Sequence, residues 1–155
     1  MSVWLIGSAC LASALVGGVF FAFSSFVLPA LGRIPAPEGL RAMQRINIDV
    51  FHWSFVLAFF GTPALCLVLL VQSFSGTGAG DDSLIRWGCA VYLVGSFLVT
   101  GLGNVPLNKR LAKLDPEQVD AAQAWSQFAG PWVAWNHLRT LASLLAAALF
   151  LASIL

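Results

Sequence analysis

Residues Val3–Leu31 read VWLIGSACLASALVGGVFFAFSSFVLPAL, a run without one charged side chain. A bilayer's hydrocarbon core is about 30 Å thick, and about 20 apolar residues in an α-helix cross it. A cleaved signal peptide would carry a positive leading region and a shorter apolar stretch, so this segment is read as a permanent span. Three more apolar runs follow, at about 50–73, 84–103 and 131–155. None alternates at period two, as a lipid-facing strand would. Lipid satisfies apolar side chains but not backbone N–H and C=O groups, so the spans must be helical. The expected fold is all-α: a four-transmembrane-helix bundle forming one integral membrane domain over residues 1–155.

Composition agrees. The chain is 59% hydrophobic and 10% charged, where soluble domains carry roughly a quarter charged residues. A net charge of +1 excludes the basic stripe that nucleic acid would require. Cys10, Cys66 and Cys89 all sit inside apolar runs, an odd and widely spaced set. They read as small hydrophobes rather than a disulfide framework or zinc site.

The connections differ in kind. Residues 73–82 form a Gly/Ser turn. After the first span, Pro37-Glu38 opens a short surface helix through Asn47. After the third, Asp115-Pro116-Glu117 has the marks of a capped helix start, giving a second surface helix to about Phe128 that Gly130-Pro131 should break. The halves echo each other: span, surface helix with a Gln, then a span opening on an aromatic residue and a His, as in parallel repeats. Ala14, Gly18 and Ala22 make a small-residue stripe suited to close helix approach, in the bundle or in a homo-oligomer. Arg33, Arg41, Arg45, Lys109, Arg110 and Lys113 share one side, against Arg86 on the other. The positive-inside rule puts both long loops in the cytoplasm and both termini outside the plasma (inner) membrane.

That topology gathers polar residues at one end: Asn47, Asp49 and His52 at the start of the second span, Asn104 and Asn108 at the end of the third, and Asn136, His137 and Arg139 in the fourth. Arg139 either snorkels to the headgroups or turns inward, paired with Asp49 or holding a substrate's anionic oxygen. His52 and His137 are interfacial aromatics, supply a general base assisted by neighbouring amides, or are two axial ligands of a haem or part of a metal site. Asn104, Asn108 and Asn136 orient a phenolic or carbonyl substrate, or cap a helix that ends near Gly103. The tryptophans lie near span ends as an aromatic belt, though Trp132 and Trp135 also suit the wall of a flat aromatic pocket. No phosphate loop, dinucleotide fingerprint or nucleophile elbow is present.

Four blocks in order carry a resemblance: Gly18–Leu31, Met43-Gln44-Arg45-Ile46-Asn47, Gly103-Asn104-Val105-Pro106-Leu107-Asn108, and Trp135-Asn136-His137-Leu138-Arg139-Thr140. Together they resemble the anthrone oxygenase-like family of small four-span membrane proteins. The resemblance implies a monooxygenase that oxidises an apolar, anthrone-like substrate with O₂ and needs no cofactor. On that reading His137 is the base, and Arg139 with Asn136 stabilises the enolate oxygen. Asn47, His52, Asn104, Asn108 and Trp135 then surround a lipophilic aromatic substrate drawn from the bilayer. Haem binding, or a non-catalytic lipophile carrier or partner subunit, are the competing readings.

Overall fold

A computed structural model describes residues 3–76 and 79–155; Thr77 and Gly78, within the Gly/Ser turn, lie outside the described residues. Among these there are five helices and no strand. They are α1 (Val3–Leu31), α2 (Ala36–Asp49), α3 (Trp53–Phe74), α4 (Asp82–Leu111) and α5 (Ala121–Ala152). Helices α1, α3 and α4 are long and apolar enough to cross a membrane. Helix α5 is longer still, and Asn136, His137 and Arg139 interrupt its apolar part. The four long helices form a ring in the order α1, α3, α4, α5, each packed on its two neighbours.

Two apolar clusters stack along the bundle. The first, inside the ring, gathers Ile6, Val16, Phe20, Phe59, Leu69, Ile85, Tyr92 and Phe150. The second sits beneath α2 and joins Leu40 and Met43 to Leu28, Leu111, Phe128 and Trp132. Helix α2 is amphipathic for that reason: Leu40 and Met43 are buried while Arg41, Arg45 and Asp49 are exposed. It is also tied down by polar contacts. The Gln44 side-chain amide donates to the carbonyls of Leu111 and Leu114, 2.9 Å each, adding to the Leu114 N–H that Leu111 already accepts and giving Leu114, just past α4, a donor. Arg41 pairs with Glu117 in the loop beyond.

Three expectations are corrected. First, α4 does not end near Gly103 but continues to Leu111, passing residues 100–104 as a wide, π-helical turn. Second, Asp115-Pro116-Glu117 starts no helix. Asp115 instead accepts from the Glu117 N–H in a local turn, and Asp120 caps α5 by accepting from Gln123. Gly130-Pro131 then fails to break α5. An interior proline costs about 3 kcal/mol, and Phe128 and Trp132, buried on either side of it, hold the helix against α2 and α4. The second surface helix is therefore the first turns of α5, and the echo between halves fails at this joint.

Third, the stripe at Ala14, Gly18 and Ala22 is not the close approach inside the bundle. Gly18 is exposed and faces open space. Gly17, one position round the helix, lies against Ser143 and Leu144 of α5 instead. On the other side of α5, Gly95 and Gly103 of α4 pack so tightly that an added Cβ would come within 2.6 Å of Ala142 and Trp135.

Candidate functional site

Where the two apolar clusters meet, the interior turns polar. Arg139 projects from α5 into this junction and is only 5% exposed, so it does not snorkel. One terminal nitrogen donates to Asn136 Oδ1 at 2.5 Å and the other to Thr100 Oγ1 at 3.3 Å. The guanidinium lies over the Phe20 ring, 4.0 Å from its centroid, with the Trp132 ring at 5.4 Å. Its Nε–H is buried without a partner. No carboxylate reaches it. The ion pairs among the described residues are Arg41–Glu117 and Arg45–Asp49, both on the surface, so Asp49 is not the counter-ion.

Asn136 links this cation to α1: its amide donates to the Phe20 carbonyl at 2.6 Å and to Ser24 Oγ. Asn104, 1% exposed, enters from α4 and donates to the Trp132 carbonyl at 3.1 Å, leaving its own Oδ1 buried and unpartnered. Asn108, one turn on, accepts from Trp132 Nε1 at 2.8 Å. The two amides thus brace the tryptophan that walls the cation. Deeper in the ring, Thr100 donates to the Ser96 carbonyl and Ser96 pairs with Ser143 at 2.9 Å.

The polar residues of α1 and α4 share a local geometry. Ser24 lies in a π-helical turn at Phe23–Val27, Ser96 in one at Leu93–Leu98, and Thr100 and Asn104 in one at Thr100–Asn104. Such wide turns recur at functional sites. Two of them precede a proline by two residues, Pro29 and Pro106. A proline supplies no N–H to the preceding turn, and its ring crowds the carbonyl four residues back; a widened turn moves that carbonyl away.

The structure thus brings together Arg139, Asn136, Asn104 and Asn108, and leaves other expected site residues apart. His137 is exposed; at about 100° per residue it points roughly 200° round α5 from Arg139. His52 is exposed at the N-terminus of α3, with Nδ1 2.9 Å from Ser54 Oγ. The two histidines, weighed as haem ligands, stand on helices diagonal in the ring and neither turns inward. Among the described residues no three His, Cys, Asp or Glu side chains cluster as a metal site would need. Asn47 lies on α2 one turn beyond Met43, its Nδ2 buried without a partner. Trp135, 42% exposed, covers Gly103 on the outside of the bundle, and Trp132 takes the inner position.

Phe20, Ser24 and Thr100 were not among the expected site residues. Their signal was present as hydroxyls and an aromatic inside apolar runs, but only their neighbours in space reveal a role. Two open grooves lie elsewhere. One of about 360 Å³ is lined by Leu107, Arg110, Asp120, Gln123 and Phe128. The other, of about 550 Å³, lies between α1 and α3 and is lined by Ala12, Ala58, Gly61, Thr62 and Leu65.

A family model described as anthrone oxygenase matches residues 51–149. The match takes in all of α3 and α4 and α5 as far as Leu149, and with them Ser96, Thr100, Asn104, Asn108, Trp132, Asn136 and Arg139; Phe20, Ser24 and α2 precede it. No curated protein and no solved structure matches the chain.

Proposed function

The chain belongs to the anthrone oxygenase family, and on that premise we propose that it is a four-span membrane oxygenase using O₂ on an apolar, anthrone-like phenolic substrate. The observation that carries this reading is the buried Arg139 guanidinium with no carboxylate partner and a free Nε–H. A buried charge is costly unless paired, and retaining one without a counter-ion inside an apolar bundle is expected where a ligand supplies the negative charge.

An anthrone is a weak carbon acid whose enol tautomer is a phenol. In the proposed cycle the phenol gives its proton to water at the interface and its oxyanion docks on Arg139 Nε–H. Preorganised donors in a low-dielectric site favour the ionised form far more than water does. The flat ring system takes the place of Phe20 or Trp132 against the guanidinium face. Asn104 Oδ1 is free to accept from a hydroxyl on the same substrate. The electron-rich anion passes one electron to O₂, the two radicals combine at the carbon para to the oxyanion, and the peroxide loses water to give the quinone. The substrate loses two hydrogens and gains one oxygen atom, and the other oxygen leaves as water, so no external reductant or cofactor enters. His137 has no part in this cycle, because it faces away from Arg139.

Oxygen uptake by the detergent-purified protein with anthrone tests the proposal. Replacing one preorganised donor to a developing oxyanion typically lowers turnover about 10²–10³-fold, and Arg139→Met is expected to fall in that range. His137→Ala is expected to retain turnover near the wild-type level. If Arg139→Met turns over normally, the guanidinium is not the oxyanion's partner. If only His137→Ala is dead, the base is on the outer face of α5 and the site lies there.

A further inference from the structure

Helices α3 and α4, neighbours in the ring, bring two buried cysteines together. Cys66 and Cys89 are both fully buried, at 0% exposure. The Cys89 thiol donates to the Cys66 carbonyl at 3.4 Å, which sets it directly against the Cys66 residue. Cys10 is engaged elsewhere, donating to the Ala147 carbonyl of α5 at 3.3 Å. The three cysteines are therefore a pair and a bystander, and none is in a disulfide. In the same buried cluster lie Phe59, Leu69, Ile85, Tyr92 and Phe150, an apolar surrounding in which a charged oxidant would be costly.

We propose that Cys66 and Cys89 form a redox-active dithiol that lipid-soluble hydroperoxides oxidise to a disulfide between α3 and α4. One thiol attacks the distal oxygen of the hydroperoxide and the O–O bond breaks, giving a sulfenic acid and the corresponding alcohol. The second thiol then displaces water from the sulfenic acid. In sum, two thiols and one hydroperoxide give one disulfide, one alcohol and one water, and the two electrons taken from sulfur reduce the O–O bond. Both end states are neutral, so the product leaves no charge buried among apolar side chains. The consequence reaches the polar junction, since Ser96 follows Cys89 by two turns on α4. A disulfide at Cys89 would fix α4 against α3 just below the Ser96, Thr100 and Asn104 turns. This inference stands on the thiol geometry alone and does not depend on the oxygenase reading.

The test uses the whole protein, purified in detergent and freed of reductant. It is incubated with cumene hydroperoxide or, separately, with oxidised glutathione, then denatured and alkylated with N-ethylmaleimide. Peptide mapping of the wild type should show Cys66 joined to Cys89 after the hydroperoxide, with Cys10 still alkylated, and dithiothreitol should restore all three sites. Cys10→Ser should behave as the wild type does, whereas Cys66→Ser should form no intramolecular bridge. Oxidised glutathione, charged and water-bound, should leave all three thiols free. Complete alkylation after cumene hydroperoxide, or a bridge to Cys10, would overturn the assignment. Equal oxidation by glutathione would overturn the claim that the pair is reserved for apolar oxidants. Because the wild-type map decides each point, a misfolded variant does not blur the answer.

Discussion

Arg139 is held in place by neutral groups: the Asn136 and Thr100 oxygens accept from it and the Phe20 ring faces it. A desolvated cation–π contact is worth about 2 kcal/mol and a charged hydrogen bond about 1.5–3 kcal/mol. These contacts suffice to keep the guanidinium buried, yet they supply no negative charge. Asn136→Asp turns this into a prediction. The carboxylate would stand where Oδ1 now stands, in contact with the guanidinium, and act as a built-in counter-ion. Turnover should fall by at least about tenfold because the substrate anion now competes with a tethered one, while thermal stability in detergent should fall, because the second carboxylate oxygen would face the Phe20 carbonyl to which the amide now donates. Unchanged turnover would mean that Arg139 holds no anionic ligand. Arg139, Asn136, Asn104 and Asn108 were legible in the sequence because an amide or a charge at membrane depth costs too much to be incidental. The direction in which each points was not. Residues 137 and 139 belong to one motif and face nearly opposite ways, and no property of a single helix says which of the two faces the bundle.

At the scale of elements, the apolar runs were legible because length and hydropathy alone decide a span. The ends of α4 and α5 were not. Pro106, Gly130 and Pro131 are breaker signals by local rules, and packing against α2 overrode them. The wide turns left no readable mark either, since a π turn is one residue too many in a helix whose flanks stay in register. Deleting Gly101, which is exposed and meets no neighbour, should restore a regular helix through residues 100–104. Flanking contacts such as Asn108 with Trp132 should survive, so helicity and melting temperature should change little. Thr100 and Asn104 would lose their present spacing, however, and oxygen uptake should be lost. A deletion variant with full turnover would make the wide turn a packing feature only.

Helix α2 yields a second comparison at this scale. Gln44→Ala removes two hydrogen bonds to carbonyls at and just beyond the end of α4, of which Leu111's keeps the Leu114 N–H, and should cost about 1–3 kcal/mol. Arg41→Ala removes an exposed ion pair with Glu117 and should cost no more than about 1 kcal/mol. Denaturation of the two variants side by side would rank them. The reverse order would place the hold on α2 in its surface charge rather than in the carbonyls it covers.

For the whole molecule, the distribution of charge predicts a direction in the bilayer. Arg33, Arg41, Arg45, Lys109, Arg110 and Lys113 all lie at the end covered by α2, and Arg86 lies at the other, where it donates to the Ser73 carbonyl at the end of α3. Loops with the excess of Lys and Arg stay in the cytoplasm, so the expected outcome is that α2 and the polar junction beneath it lie on the cytoplasmic side. An apolar phenol made in the cytoplasm would then meet the bundle at the interface nearest Arg139. The orientation can be measured with one added cysteine, because Cys66 and Cys89 are buried and Cys10 is half-buried in an apolar helix, so native thiols give little background to a charged maleimide. In intact cells Ser75→Cys, exposed beyond α3, should be labelled directly, and Lys113→Cys only after the membrane is permeabilised. Labelling in the opposite order would put the polar junction on the outer face. The substrate would then have to arrive from outside the cell, and the basic residues around α2 would need a role other than topology.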